Sequence, residues 1–334
     1  MEEIIAYKLN FCSPLHVGAH GVGYEKTDEI IHSDTLFSAL MTLWNNFYDD
    51  KVESLCQNPP FLISSAFPYK SAIYFFPRPM VKIGKEGEDD YKTGKKLKKV
   101  KYVSKNILEA LRKGDSLDFD DNDTFQNHKF WIERTSDKLN KSSRIFSVRE
   151  VPRVTIDRAT SSSEIFYFSE IIFERDSGLF FLARFKNKEF RSKFEAVLRL
   201  LGDEGIGGDK RIGKGVFSLH IDEGFSFSTL QDADGFMNLS LYYPKEDEFD
   251  NGILKGASYN LVSRKGWIHA SGAMSLKRKQ IRMFSEGSVF TCIGEENYGV
   301  NPCVLEKDAT IGLQHNIYRY GMAFHLPIAM ENEK

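Results

Sequence analysis

A short apolar stretch at residues 4–11 predicts an opening strand, and Gly18, Gly21 and Gly23 after it predict a long, conformationally permissive loop. From Ser33 onward the period changes. Leu36, Phe37, Leu40, Leu43, Trp44 and Phe47 recur at helical spacing, with Ser33 or Asp34 placed to accept the unpaired N–H groups of the first turn. Residues 72–76 are apolar and aromatic and run into Pro77 and Pro79, as a strand entering a turn does.

Blocks of like charge then interrupt the pattern. Residues 86–90 are acidic, 92–105 carry seven lysines and 115–123 are acidic again, which predicts a charged insertion over about 82–145 with a helix near 107–113. A second round of elements follows. Residues 164–173 and 178–185 predict the two strands of a hairpin, and Phe190, Phe194, Val197, Leu198 and Leu201 mark an amphipathic helix. A glycine-rich segment, 202–215, ends that helix and 216–221 resumes as a strand, the order of a split βαβ unit. Beyond it helical spacing is weak, and 239–243, 289–293 and 320–328 predict strands completing a second sheet. The two rounds predict an α+β protein of two halves, residues 1–150 and 151–334.

Composition narrows the function. With 41% hydrophobic and 28% charged residues, the 334-residue chain is globular, and its 27 phenylalanines predict an aromatic core with rings left over for base stacking. A net charge of −2 and a pI near 6.5 exclude coating of nucleic acid by bulk positive charge, so any RNA contact is local. Cys12, Cys56, Cys292 and Cys303 show neither C-x-x-C nor zinc-ligand spacing, and suit a reducing cytosol. The Met1-Glu2-Glu3 start has no targeting pattern and no apolar run reaches the roughly 18 residues of a membrane span, so a cytoplasmic location is expected.

Residues 202–215 place six glycines and three cations in fourteen positions. Gly207, Gly208 and Gly213 let backbone N–H groups approach a ligand closely, and Lys210, Arg211 and Lys214 supply charge for phosphates. A helix end needs only one such glycine. Residues 208–214 also satisfy G-x-x-x-x-G-K, but position 215 is Gly where a magnesium-binding Ser or Thr is required, and the loop runs from helix into strand. Nucleotide hydrolysis is therefore excluded there.

Three further constellations are candidates. His16 and Gly18, with His32 and Ser33, flank the first glycine loop beside a helix start, where they either bind an anion or simply order the loop. Arg153, Arg158 and Thr160 lie in a polar cationic stretch, with Asp157 as an alternative partner for Arg158. Arg264, Lys265 and Trp267, then Lys277 and Arg278, interleave cations with an indole, as in a single-stranded RNA track or a lysine-protected strand edge. The lysine run at 95–101 lies between acidic blocks and reads as a solvated face.

The glycine loop after an amphipathic helix, with strands on both sides, resembles that of the RAMP superfamily of CRISPR-associated proteins. Pro14-Leu15-His16-Val17-Gly18, His32-Ser33-Asp34-Thr35-Leu36-Phe37-Ser38-Ala39-Leu40 and Thr155-Ile156-Asp157-Arg158-Ala159-Thr160 are similar to the family of fourth subunits of the Csm complex. Pro77-Arg78-Pro79, Arg264-Lys265-Gly266-Trp267 and Tyr318-Arg319-Tyr320-Gly321 fall in the matching order. The resemblance implies two ferredoxin-like (RRM-like) domains and a subunit of a type III-A complex without catalysis, metal, cofactor or small-molecule substrate. It also implies the partners: the 5′ repeat-derived tag of the crRNA, a large polymerase/cyclase-like subunit and a backbone RAMP subunit. Some RAMP relatives instead cleave repeat RNA without metal, which makes His16 or His32 the alternative site. Asp203, Glu204 and Asp209 weaken the loop's attraction for phosphate, so part of it is expected to meet a protein partner.

Overall fold

The structure, a computed structural model, describes residues 3–18, 23–48, 50–83, 91–133, 139–186, 188–230, 233–268, 276–311 and 313–330. β1 (Ile4–Phe11) leads into α1 (Ser33–Phe47), α2 (Val52–Gln57), β2 (Phe61–Ile63), β3 (Phe67–Lys70) and β4 (Ile73–Pro77). The charged insertion carries α3 (Tyr91–Leu97), β5 (Tyr102–Ser104), α4 (Lys105–Arg112), β6 (Thr124–Phe125) and β7 (Phe130–Trp131). A long hairpin, β8 (Phe146–Ile156) and β9 (Ser163–Phe173), precedes β10 (Ser177–Phe185), α5 (Lys188–Glu204) and β11 (Phe217–Asp222). Next come β12 (Gly235–Asn238), α6 (Glu246–Asp250), β13 (Leu261–Arg264), β14 (Trp267–Ile268), β15 (Leu276–Lys277) and β16 (Ile281–Phe284). The last strands are β17 (Val289–Thr291), β18 (Cys303–Leu305), β19 (Ile317–Tyr318) and β20 (His325–Ile328).

One sheet runs β11-β1-β10-β3-β4-β5-β7-β6, with β2 also paired to β10. Its β1, α1, β3, β10, α5 and β11 make a ferredoxin-like βαββαβ unit, β1 lying between β10 and β11. Three expectations change here. The division at residue 150 falls inside β8, and β10 and β11 complete the first sheet instead of opening a second. Residues 164–173 pair with β8, from Phe146↔Phe173 to Ile156↔Ser163, and not with β10. The charged insertion continues the sheet through β5 and β7, while the acidic run at 86–90 lies outside the described residues.

Both faces of this sheet are covered, which explains the unbroken apolar run of β10. Leu179, Phe181 and Ala183 meet Leu36, Leu40 and Trp44 of α1 and Phe194, Val197, Leu198 and Leu201 of α5. Phe180 and Leu182 point the other way, into a core shared with Leu108 of α4, Met237 of β12 and Leu326 and Ile328 of β20. The C-terminal part is built on β17-β12-β20 and several two-stranded pieces. It clamps the sheet from the side opposite the long helices.

Candidate nucleic-acid interface

α5 ends into the glycine loop, and the glycines there solve a packing problem. A Cβ at Gly207 would lie 2.3 Å from the His16 carbonyl oxygen, and one at Gly215 only 1.9 Å from that of Ile206. Both residues also have positive φ. The close approach lets the loop bond to its surroundings: Gly208 N–H donates to His16 O at 2.8 Å, Gly215 N–H to Pro14 O at 2.9 Å and Ile206 N–H to Gly215 O at 3.0 Å. Two of these amides tie the loop to the segment that follows β1, and the third closes the loop on itself. Gly213, by contrast, faces open space.

Charge in the loop is largely matched within the chain. The Lys214 ammonium pairs with Glu170, whose other oxygen takes Arg149. Burial alone would raise the Glu170 pKa, but the bonds from Lys214 and Arg149 hold it below the ordinary value. Asp209 receives Arg153 at 2.6 Å, and Glu204 lies 3.3 Å from Lys210, so these two carboxylates meet cations of the same chain. Phe168 is the hub of this region. His16 packs on its ring at 4.2 Å, and Arg153 and Lys214 lie over it at 4.1 and 4.7 Å. His16 is buried, its Nδ1 donating to the Ser169 carbonyl at 2.7 Å. Arg158 and Thr160 sit far out on the exposed turn of the β8–β9 hairpin, where Asp157 accepts the Thr160 hydroxyl at 2.8 Å.

A second network fixes the start of α1. His32 is the residue preceding the helix and makes no side-chain capping bond, contrary to the capping expected of Ser33 or Asp34. The Ser33 hydroxyl instead accepts Leu241 N–H at 2.9 Å. Asp34 receives Arg264 through Nε at 2.9 Å and Nη2 at 2.8 Å, and Arg319 through Nη1. Burial would raise its pKa, but the two guanidiniums hold it far below the usual carboxylate range. His32 Nδ1 lies 2.7 Å from Glu286, which also accepts the Ser65 hydroxyl. For His32 burial acts downward, and the Glu286 charge and hydrogen bond outweigh it to give a raised pKa. His32 and Ser33 thus serve the junction between α1 and the C-terminal strands.

Between these two networks opens a cleft of about 750 Å³. The glycine loop forms one wall, Thr35, Ser38, Ala39 and Thr42 of α1 the second, and Arg264, Lys265, Lys277 and Arg278 the third. Among the described residues six cations line it, Lys210, Arg319 and the four just named, against the single carboxylate of Asp34. In a chain of net charge −2 this is the local concentration of positive charge that RNA contact requires. Of the expected site residues, Gly18, Gly207, Gly208, Lys210, Arg264, Lys265, Lys277 and Arg278 come together here. His16, His32, Ser33, Arg153 and Lys214 are in the flanking networks, Arg211 and Gly213 are exposed on the loop, and the Trp267 side chain lies outside the described part. Arg319 was not among the candidates, although it sits in a segment similar to the family. The polar wall of α1 was also missed, and its signal is the small and hydroxyl residues at i, i+3, i+4 and i+7 opposite the apolar stripe.

Among the described residues no group of three or more His, Cys, Asp or Glu is arranged to hold a metal ion, and no helix is long and apolar enough to cross a membrane. Residues 8–218 match the model of the RAMP superfamily, and 231–328 match that of the CRISPR Csm4 C-terminal domain. The chain therefore belongs to the RAMP superfamily, the class that the βαββαβ unit and its glycine loop define. It is 28% identical over 319 residues to the CRISPR system Cms protein Csm4 of Thermococcus onnurineus, covering 90% of this chain and 93% of that protein. The Csm4 protein of Mycobacterium tuberculosis is 26% identical, with 94% of each covered. Within the superfamily, the chain is similar to Csm4 proteins along nearly its whole length. Its fold matches a chain of the Csm3-Csm4 subcomplex of a type III-A CRISPR-Cas interference complex, at TM-score 0.65 and 20% identity over 98% of this chain and 99% of that one. A chain of a Csm1-Csm4 cassette in complex with cA4 matches at TM-score 0.61 and 20% identity, over 99% of both.

Proposed function

We propose that this chain is the non-catalytic RNA-binding subunit of a type III-A CRISPR effector complex, acting in the cytoplasm. The cleft holds the 5′ repeat-derived tag of the crRNA, while other surfaces dock a large polymerase/cyclase-like subunit and a backbone RAMP subunit. The observation that carries this reading is the cleft itself, with six cations facing one carboxylate that Arg264 and Arg319 already neutralise. Phosphates of the tag lie against Lys210, Lys265, Lys277 and Arg278, and Ser38 and Thr42 line the same cleft for contacts to sugar or base edges. Partner docking is supported by the Csm1-Csm4 and Csm3-Csm4 assemblies of the structures that share the fold.

Binding without cleavage fits the two histidines. Each is engaged by a buried acceptor, Ser169 O for His16 and Glu286 for His32, and neither lines the cleft. The test is reconstitution with the partner subunits and crRNA. Tagged crRNA is expected to be retained uncut, and crRNA with a scrambled tag to be retained less. Failure to retain tagged crRNA would sink the reading. Cleavage of repeat RNA that disappears in His16→Ala or His32→Ala would replace it with a ribonuclease.

A further inference from the structure

At the floor of the cleft lie three guanidiniums, Arg264, Arg278 and Arg319, of which Arg264 and Arg319 are paired with the carboxylate of Asp34. Both oxygens of Asp34 are occupied by Arg264 and Arg319, and Glu286 is held by His32 and Ser65. Arg319 has a side chain only 4% exposed. Its Nη1 reaches Asp34, but its Nε and Nη2 are buried with no hydrogen-bond partner among the described residues, and so is Nε of Arg278. Burial, then the charge of Arg319 and with it that of Arg264, depress the Arg278 pKa, as uncompensated positive charge does. A buried guanidinium N–H without an acceptor is costly, and two neighbouring guanidiniums with such groups call for an anion between them.

We infer that the cleft floor is a desolvated oxyanion site that seats one phosphate group, an internal phosphodiester of the bound RNA, gripped by Arg278 and Arg319. The inference rests on reading the cleft as an RNA site and deepens it. A guanidinium fork matches two oxygens of a phosphate at once, which a lysine does not. Lys265, Lys277 and Lys210 line the same cleft and are exposed, so the neighbouring phosphates of the same strand meet these lysines. One buried phosphate would fix the register of the strand. The lysines would add affinity without fixing position.

The test uses the full chain and three probes: inorganic phosphate, a short ribo-oligonucleotide with hydroxyl ends, and the same oligonucleotide with a 5′-phosphate. Phosphate is expected to raise the melting temperature saturably, and the two oligonucleotides to bind equally well. Arg278→Gln removes the phosphate effect and weakens oligonucleotide binding about ten-fold, whereas Lys265→Ala keeps the phosphate effect. Arg319→Gln gives the same loss where it folds, and Arg278→Gln carries the test where it does not. No saturable phosphate effect on the wild type, or one that survives in Arg278→Gln, overturns the site. Binding that depends on the 5′-phosphate overturns the internal phosphodiester. If phosphate has no effect while the reconstituted complex still retains tagged crRNA, this site falls and the RNA reading stands. If phosphate binds but no crRNA is retained, the RNA reading falls and takes the phosphodiester assignment with it.

Discussion

Arg264 grips Asp34 across 230 residues of sequence, Nε at 2.9 Å from one carboxylate oxygen and Nη2 at 2.8 Å from the other. This bidentate contact ties the start of α1 to β13, and both residues line the cleft.

Asp34→Ala deprives Arg264 and the buried Arg319 of the carboxylate they both bond, a change that costs roughly 3–5 kcal/mol. Arg264→Met still leaves Asp34 on Arg319 and keeps much of the apolar stem, so its cost is smaller. Urea unfolding of the two variants gives that order directly. Equal midpoints would show that the pair does not hold the junction.

Stability should fall on both sides of a mildly acidic plateau. Asp34 and Glu286 are held low, burial opposing but Arg264 and His32 respectively outweighing it, so their contribution is present above about pH 4 and lost as pH falls through the depressed values. His32 has the opposite sign. Its raised pKa gives stability that is full below about pH 6.5 and lost as pH rises through the folded value. Denaturant midpoints followed with pH are expected to decline above that point in the wild type and to flatten in His32→Gln. Parallel profiles would refute the assignment.

Two glycines of the loop separate backbone strain from close packing. Gly213 has φ +81° and open space around it, so Gly213→Ala costs about 1–2 kcal/mol from the left-handed backbone alone. Gly215→Ala adds a Cβ 1.9 Å from the Ile206 carbonyl oxygen, which breaks the loop away from Pro14 and the end of β1. It is expected to destabilise more and to weaken RNA binding, as thermal melts and titrations with crRNA would record.

Much of this was legible in the sequence. The 3.6-residue spacing in α1 and α5 located both helices, and the glycine density located the loop. What failed was partner choice. The apolar run of β10 suits a hairpin strand and a central strand equally well, and only the burial of both its faces decides for the latter. Residues 164–173 looked like its neighbour because they precede it closely. Arg264 and Lys214 carried the charge expected of phosphate ligands, yet their acceptors, Asp34 and Glu170, lie 230 and 44 residues away. No local pattern announces such a pair. The cleft likewise draws its walls from three distant segments, so sequence marked its residues without showing which of them would meet.

Lys214 gives the sharpest contrast with the cleft lysines. Its ammonium is on Glu170 and over Phe168, so Lys214→Ala loosens the base of the hairpin and lowers stability without removing a phosphate contact. Limited proteolysis of the hairpin should accelerate in this variant. An unchanged digestion rate would argue that the ion pair does not anchor it.

The most direct measurement is the salt dependence of tagged crRNA binding by the reconstituted complex. Replacing Lys265, Lys277 and Arg278 together by Ala is predicted to make the slope of log K against log salt shallower by about 2, since each phosphate contact to a single strand contributes roughly 0.7. Lys214→Ala is predicted to leave that slope unchanged. A wild-type slope in the triple variant, or a shallower one in Lys214→Ala alone, would contradict the cleft as the RNA site.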